Sequence, residues 1–231
     1  MPPSQNLISP NLKILQLRGI PLRKKPDFSF EDQHQGIVCG IDEVGRGSWA
    51  GPVVAAAVII QRDRMPRAIL RQINDSKKLT PKKREYLFNK IQEFSYISLA
   101  ECGVAEIDEV NILQASLLAM AKAFAGLSVP PATALVDGNQ KPWLPCAIKT
   151  IINGDGRSFS IAAASIIAKH YRDTLMKNIA NDFPHYGWES NAGYGTEHHR
   201  KAIEIHGITL HHRRSFSPIS KQMVKESSAN N

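Results

Sequence analysis

Long apolar stretches are missing from this chain. No segment approaches the roughly 20 uninterrupted apolar residues that a membrane helix needs. The longest run, Pro52 to Ile60, has the length of one buried strand. No secretory leader is visible either: Leu12 to Leu22 is broken by Lys13, Gln16, Arg18 and Gly19 and offers no apolar core for one. Cysteine is scarce. Cys39, Cys102 and Cys146 are odd in number and widely spaced, with no C-x-x-C pair, which excludes a disulfide framework and a cysteine-based zinc site. They are expected to be reduced, buried or half-buried thiols of a cytoplasmic protein. Internal repeats, heptads and interdomain linkers are absent too, so a monomer built on a single domain is expected.

Positive charge is plentiful. The formal net charge is +8 and the pI about 9.5, a balance that favours an anionic partner. The excess is concentrated: Gln61 to Glu93 holds ten Lys or Arg against four Asp or Glu. A second basic stretch, Glu197 to Arg214, carries five of the eight histidines. Such runs fit either a nucleic-acid contact or a plain solvated face. The pairs His198-His199 and His211-His212 do not read as zinc ligands, because adjacent side chains diverge and no cysteine is near.

Prolines at 2, 3, 10, 21 and 26 break any periodicity in residues 1–35, which read as a poorly ordered arm with a basic knot at Arg23-Lys24-Lys25. Residues 36–218 read as the domain and 219–231 as a polar, frayed tail. Ile37 to Ile41 and Val53 to Ile60 are β-branched runs around a glycine-rich turn, hence two neighbouring strands. Thr80-Pro81 predicts a helix start with Leu87, Ile91 and Phe94 on its apolar side. Tyr96 to Leu99 is a possible third strand. A stronger helix starts near Asp108, with Leu113, Leu117, Met120 and Phe124 as its stripe and Gly126 at its end. Thr133 to Val136 and Ala147 to Ile152 are short strands. The spacing predicts a helix from about Ser160 to Phe183, burying Ile161, Ala164, Ala168, Tyr171 and Leu175. A last helix starts at Thr196 and stops at Gly207. Strands first, then strands alternating with helices, give an α/β domain with a mixed sheet flanked by helices.

The chemistry lies in where the acids fall. Asp42, Asp137 and Asp155 each sit at or just past the end of a predicted strand, and Glu43 follows Asp42 directly. Sites in open α/β sheets form beyond the carboxyl ends of strands. Converging carboxylates repel one another and resist burial. Divalent cations resolve that conflict, and oxygen donors suit Mg²⁺ or Mn²⁺. Two such ions about 4 Å apart suit phosphodiester hydrolysis, which matches the basic surroundings. Successive strand side chains point to opposite faces. Asp42 and Glu43 therefore serve one site only if the strand ends at Asp42 and Glu43 lies in the turn, which Gly45 and Gly47 would permit. Singly, each acid reads equally as a turn residue or helix cap.

The stretch Gly40-Ile41-Asp42-Glu43-Val44-Gly45-Arg46-Gly47, followed by Ala50-Gly51-Pro52-Val53-Val54, resembles the opening strand and turn of ribonuclease HII. Further likenesses follow in family order: Asn74-Asp75-Ser76-Lys77-Lys78-Leu79, Ile107-Asp108-Glu109-Val110-Asn111-Ile112-Leu113, Val136-Asp137-Gly138-Asn139, Gly154-Asp155, Ala162-Ala163-Ala164-Ser165-Ile166-Ile167-Ala168-Lys169, Gly193-Tyr194-Gly195-Thr196 and His212-Arg213-Arg214-Ser215-Phe216. The resemblance spans about residues 36–218. Ribonuclease HIII shares parts of the pattern but carries an added N-terminal domain, for which 35 residues are too few. Ser48-Trp49 departs from the proline-containing continuation expected of the family.

The resemblance implies a ribonuclease H-like fold with a helical C-terminal part, and Asp42, Glu43, Asp137 and Asp155 as catalytic acids holding two Mn²⁺ or Mg²⁺ ions. It implies an RNA–DNA hybrid, or duplex DNA with embedded ribonucleotides, as substrate. The cut would fall 5′ of a ribonucleotide and leave 3′-hydroxyl and 5′-phosphate ends. Gly45, Arg46 and Gly47 would read the 2′-hydroxyl, Tyr194 would pack on the neighbouring deoxyribose, and Lys77 and Lys78 would contact phosphate. Arg213 and Arg214 read either as phosphate contacts or as a solvated face. Two other readings compete: a different two-metal nuclease on the same scaffold, and a basic binding module whose acids only cap turns.

Overall fold

The computed structural model describes residues 25–229. Residues 12–22 and most of the basic knot lie outside them. Five strands, β1 (Val38–Val44), β2 (Val53–Ile60), β3 (Ser95–Cys102), β4 (Thr133–Asp137) and β5 (Ala147–Ile151), form one sheet in the order β3-β2-β1-β4-β5. β1, β2 and β3 are antiparallel neighbours, whereas β4 and β5 run parallel to β1. This is the mixed sheet that the order of elements implies.

Every residue of β2 is buried, because both faces of the sheet are covered. On one face Ile41, Ala55, Ala57 and Val136 pack against Ala115, Ala119 and Phe124 of α3 (Val104–Ala125). On the other, Val54, Ala56 and Val58 meet Leu87 and Ile91 of α2 (Pro81–Glu93) and Ala162 to Ala168 of α4 (Phe159–Asp182). A single turn, α1 (Arg67–Leu70), adds Ile69 to this face. Thr80 caps α2 through its Oγ1, which accepts from the Lys83 N–H, with Pro81 at the first helical position.

Helix α4 sits directly on the β1 backbone. A Cβ at position 40 would stand 2.1 Å from the Ser160 carbonyl carbon and 2.3 Å from the Ile161 nitrogen, so only glycine admits this approach. The start of the helix is fixed by a buried carboxylate: Glu31 Oε1 accepts from Ser158 Oγ (2.7 Å) and from the Ser160 N–H (2.9 Å). The segment expected as a loose arm is therefore built into the domain from Pro26, which is buried. Asp27 pairs with Ser158, and the Phe28 ring packs edge-on to Phe159. One buried acid and two aromatics outweigh the proline-rich composition.

A third cluster lies outside the sheet. Met176 and Ala180 of α4 pack with Trp188 of the short α5 (Trp188–Asn191), Ala202 and Ile203 of α6 (Glu197–His206), and Ile219 of α7 (Ser217–Ala229). The C-terminal stretch expected to fray is thus helical to Ala229, with Ile219 fully buried. The buried side of α4 also turns away from the predicted face. Arg172 and Met176 are buried, whereas Tyr171 is exposed and Leu175 half-buried. Helix α3 starts earlier than Asp108 and is broken at Asn111 (φ 68°), whose Oδ1 accepts from the N–H groups of Leu113 and Gln114 and so recaps the second segment.

Two buried histidines join this cluster. His199 Nδ1 lies 3.0 Å from the Tyr194 carbonyl, which can only accept, so this nitrogen carries the proton. Its Nε2 then accepts from Trp188 Nε1–H and from His212 Nε2–H, each at 3.1 Å, while His212 Nδ1 accepts from the Thr209 N–H. Both rings are neutral. Burial holds both pKa values down, with like-charge neighbours helping at His212, which falls to about 3. A folded pKa below the unfolded value of about 6.5 contributes stability above pH 6.5 that is lost as pH falls, for His212 toward 3 at about 1.4 kcal/mol per pH unit, and His199 acts in the same direction. The upward-shifted acids described below titrate in the opposite sense. The measurement is therefore the difference in Tm slope between wild type and His212→Asn. The variant's Tm is expected to fall less steeply from pH 7 to 5; equal slopes would refute the assignment.

Candidate active site

The four predicted acids come together at one end of the sheet. The last paired residues of β1 and β4 are Ile41 and Val136, which puts Asp42 and Asp137 level on adjacent strands. Asp155 follows β5 in the turn Gly154–Gly156 and is only 7% exposed; Asp42 is 6% exposed. The chain between β5 and Asp155 is held to β4 by the Gly154 N–H, which donates to Asp137 Oδ1 (2.6 Å).

The condition set on Asp42 and Glu43 is not met as expected. β1 does not end at Asp42; Glu43 is paired with Ala55 and the strand runs on to Val44. The two side chains leave opposite faces, yet both line one cleft with Val44, Ser76, Lys77, Ser165, Lys169 and Tyr194, about 380 Å³ in volume. The reason is that β4 stops at Asp137. Beyond it β1 has no neighbour on that side, and the Glu43 carboxylate shares a second recess with Asp137 around the open strand end.

Burial pushes Asp42 well above the ordinary carboxylate range, and Glu43, Asp137 and Asp155 add to the shift. Glu43 is raised too, chiefly by burial, although Arg46 opposes this across a 3.1 Å ion pair. Asp155 is raised to about 6 by burial and by Asp75 and Asp137. Asp75 moves the other way: burial works against the shift but is outweighed by the Lys77 N–H and the Lys78 ammonium, 3.0 Å away. Lys77 is the cation among the acids. Burial favours its neutral form, but Asp155, Asp42, Asp75 and Asp137 together hold its pKa up.

Of the predicted substrate contacts, Lys77 and Tyr194 border the cleft, whereas Lys78 is turned to Asp75. Arg46 and Gly47 are exposed and Gly45 is buried. Sequence reasoning did not single out Asp75, Ser165 and Lys169. All three lie in motifs noted for their resemblance, but none falls at a strand end. Ser165 Oγ donates to Ser76 Oγ (2.7 Å), joining α4 to the Lys77 turn.

The turn after β1 is held almost wholly by the C-terminal part. Ser48 bridges to Tyr194 and Ala50 to His212, Trp49 N–H donates to the Gly193 carbonyl (2.8 Å), and Gly51 N–H to the His211 carbonyl (2.9 Å). The departure at Ser48-Trp49 leaves this arrangement intact. Its indole fills the space where a side chain at position 195 would stand and tilts against His199.

The donor set fits divalent cations. Five carboxylates (Asp42, Glu43, Asp75, Asp137, Asp155) gather with four cations (Arg46, Lys77, Lys78, Lys169), and burial and mutual repulsion raise the pKa values of Asp42 and Asp155. All donors are hard oxygens. Asp42, Glu43 and Asp137 each spend an oxygen on a neighbouring N–H or guanidinium. Among the described residues, no group of three or more His, Cys, Asp or Glu side chains is placed to hold a metal ion, so the fit lies in the chemistry of the donors. No described helix is long and apolar enough to cross a membrane.

Comparison with known proteins points one way. Residues 39–219 match the family model described as Ribonuclease HII. The chain is 50% identical over 199 residues to the ribonuclease HII of Paramagnetospirillum magneticum, covering 86% of this chain and 99% of that one. The crystal structure of ribonuclease H2 from Pyrococcus horikoshii OT3 superposes with a TM-score of 0.69 at 25% identity, over 84% of this chain and all of that one. Bst-RNase HIII, solved in complex with Mn²⁺, shares the fold at 18% identity with a TM-score of 0.68, over 83% of this chain and 70% of that one. With the mixed sheet, the acids at its open end and a family match across most of its length, the chain belongs to ribonuclease HII, a family of metal-dependent endonucleases of the ribonuclease H type.

Proposed function

We propose that this endonuclease hydrolyses the phosphodiester on the 5′ side of a ribonucleotide, in RNA–DNA hybrids and at single ribonucleotides within duplex DNA, leaving a 3′-hydroxyl and a 5′-phosphate. One observation carries the reading: the acids Asp42 and Glu43 and the glycine-rich turn Gly45–Gly47 are successive residues of one strand end. A sugar recognised by that turn would lie within a few ångströms of the reacting phosphate. Asp42, Glu43, Asp137 and Asp155 would hold two Mg²⁺ or Mn²⁺ ions, which when bound supply an activated water and stabilise charge on the leaving oxygen.

The chain's own groups set up the rest. Lys77 is held cationic beside the acids, placed to meet a phosphate oxygen. Arg46 is half-exposed, with Glu43 as its only ion-pair partner among the described residues, and is free to turn toward the strand backbone. In this turn the Gly45 and Arg46 carbonyls are held from within by Ser48 and Arg213, and the exposed backbone at Gly47, which has no Cβ, would meet the 2′-hydroxyl in a shallow minor groove. Tyr194, 37% exposed at the cleft wall, offers a flat face for the next deoxyribose. Lys78, paired with Asp75 at 3.0 Å and half-exposed, would contact phosphate by exchanging that partner.

A duplex with one embedded ribonucleotide tests this, with product ends identified. Cutting at that position is expected with Mg²⁺ or Mn²⁺, none with EDTA, and none on the all-DNA duplex. Either ion is also expected to raise Tm by relieving repulsion among the acids. A cut in all-DNA duplex would favour a different two-metal nuclease, and binding without cleavage would favour a basic module.

A further inference from the structure

The most unusual charges in the molecule are not the acids but two arginines. Arg172 and Arg213 are completely buried and have no salt bridge among the described residues. A buried charge is normally paired. Here backbone carbonyls take the place of a carboxylate. Arg172 donates through Nε to the Pro52 carbonyl (2.8 Å), through Nη2 to Ala50 (3.0 Å) and through Nη1 to Ala192 (2.8 Å). Arg213 donates through Nε to Gly51 (2.9 Å) and through Nη1 to Arg46 (3.1 Å) and lies 5.1 Å over the Phe216 ring, while its buried Nη2 has no hydrogen-bond partner among the described residues. Four of the five carbonyls belong to residues 46–52.

The two guanidiniums also act on each other. Burial and the nearby Arg172 press the pKa of Arg213 down to about 9, which leaves it cationic at neutral pH. Gly45 (φ +94°) accommodates the first of them: a Cβ there would stand 2.2 Å from Arg172 Nε. Arg213 is in turn anchored by its successors, since Asp108 accepts from the N–H groups of Arg214 and Ser215. Repulsion between like charges and an orphaned donor are costs that packing alone does not require. An apolar side chain of similar size would fill the same space without them.

We propose that Arg172 and Arg213 are positioning residues for ribonucleotide recognition. By holding the carbonyls of Arg46, Ala50, Gly51 and Pro52 inward they fix the turn so that its exposed part, Arg46 and Gly47, faces the substrate sugar. Their charge, only partly offset by Asp173 and Asp108, also adds positive potential beneath the turn, where a phosphate would pass. This inference rests on the function proposed above and assigns the discrimination to a structural support behind the turn rather than to the turn alone.

The test is Arg213→Met, with Arg213→Lys and Arg172→Lys as gentler variants. Cleavage is measured on a single-ribonucleotide duplex and on a continuous RNA–DNA hybrid, well below each variant's Tm. For Arg213→Met, kcat/KM is expected to fall about 100-fold on the single-ribonucleotide duplex and less than 5-fold on the hybrid, where many registers are productive. The lysine variants keep charge but span fewer carbonyls, so their ratios should fall between wild type and Arg213→Met. Equal losses on both substrates, or no loss, would overturn the proposal, because a purely structural role lowers both together. If Arg213→Met does not fold, the lysine pair carries the same comparison. Failure of the wild-type protein to cut the single-ribonucleotide duplex would instead sink the underlying function.

Discussion

Asp42→Asn and Asp137→Asn are each expected to lower kcat by more than about 10³-fold, roughly 4 kcal/mol of transition-state stabilisation, while leaving hybrid binding largely intact. The carboxamide keeps the shape of the side chain and removes the charge. At position 42 the change should also stabilise the protein. Burial and three neighbouring acids raise the pKa of Asp42, so its contribution to stability is present at low pH and is lost as pH rises through the folded pKa. At pH 7 the ionised group is a burden that asparagine removes, and Tm is expected to rise by a few degrees. Asp155→Asn should follow with a smaller loss of activity. A higher Tm together with lost turnover separates a functional acid from a structural one, which would lose both. Undiminished turnover in the Asp42 and Asp137 variants would remove the assigned site altogether.

Gly40→Ala is expected to be the most damaging single change to the fold. The added methyl meets Ser160 and Ile161 backbone at 2.1 to 2.3 Å, and backbone cannot rotate out of the way. Helix α4 would have to lift from β1, against the hydrogen bonds that Glu31 makes to its first turn. Overpacking of this kind costs at least about 3 kcal/mol, which for a domain of this size lowers Tm by roughly 6–12 °C. Lifting α4 also displaces Ser165, Lys169 and Arg172, so activity should fall in the surviving folded fraction. A thermal melt of the purified variant checks the first effect. A Tm unchanged within about 2 °C would show that the helix has more room than the contacts allow.

What could be read from the sequence follows physical scale. β2 was legible residue for residue, because a fully buried strand needs an unbroken apolar run. β1 was read too short: Asp42 and Glu43 look like the end of a strand, and nothing local reveals that a sheet end left open by β4 lets polar residues stay paired. The buried face of α4 was misplaced at Tyr171 and Leu175, because an arginine whose charge is absorbed by distant carbonyls carries no hydrophobic signal. The same blindness hid the packing of Phe28 and Glu31. The acids themselves were found at strand ends, but Asp75, Ser165 and Lys169 reach the cleft from a turn and a helix face, through contacts of 89 residues' separation such as Ser76 with Ser165.

The way the turn is held also sets an order of assembly during synthesis. By residue 155 a growing polypeptide contains every acid of the cleft. Apart from its own β1–β2 pairing, the backbone that would tell ribose from deoxyribose is braced among the described residues by residues 172 and 192–213. A nascent chain emerging N-terminus first would therefore possess its cutting groups before the supports of the turn that would choose where to cut, with residues 172–213 serving as a licence for those made before them.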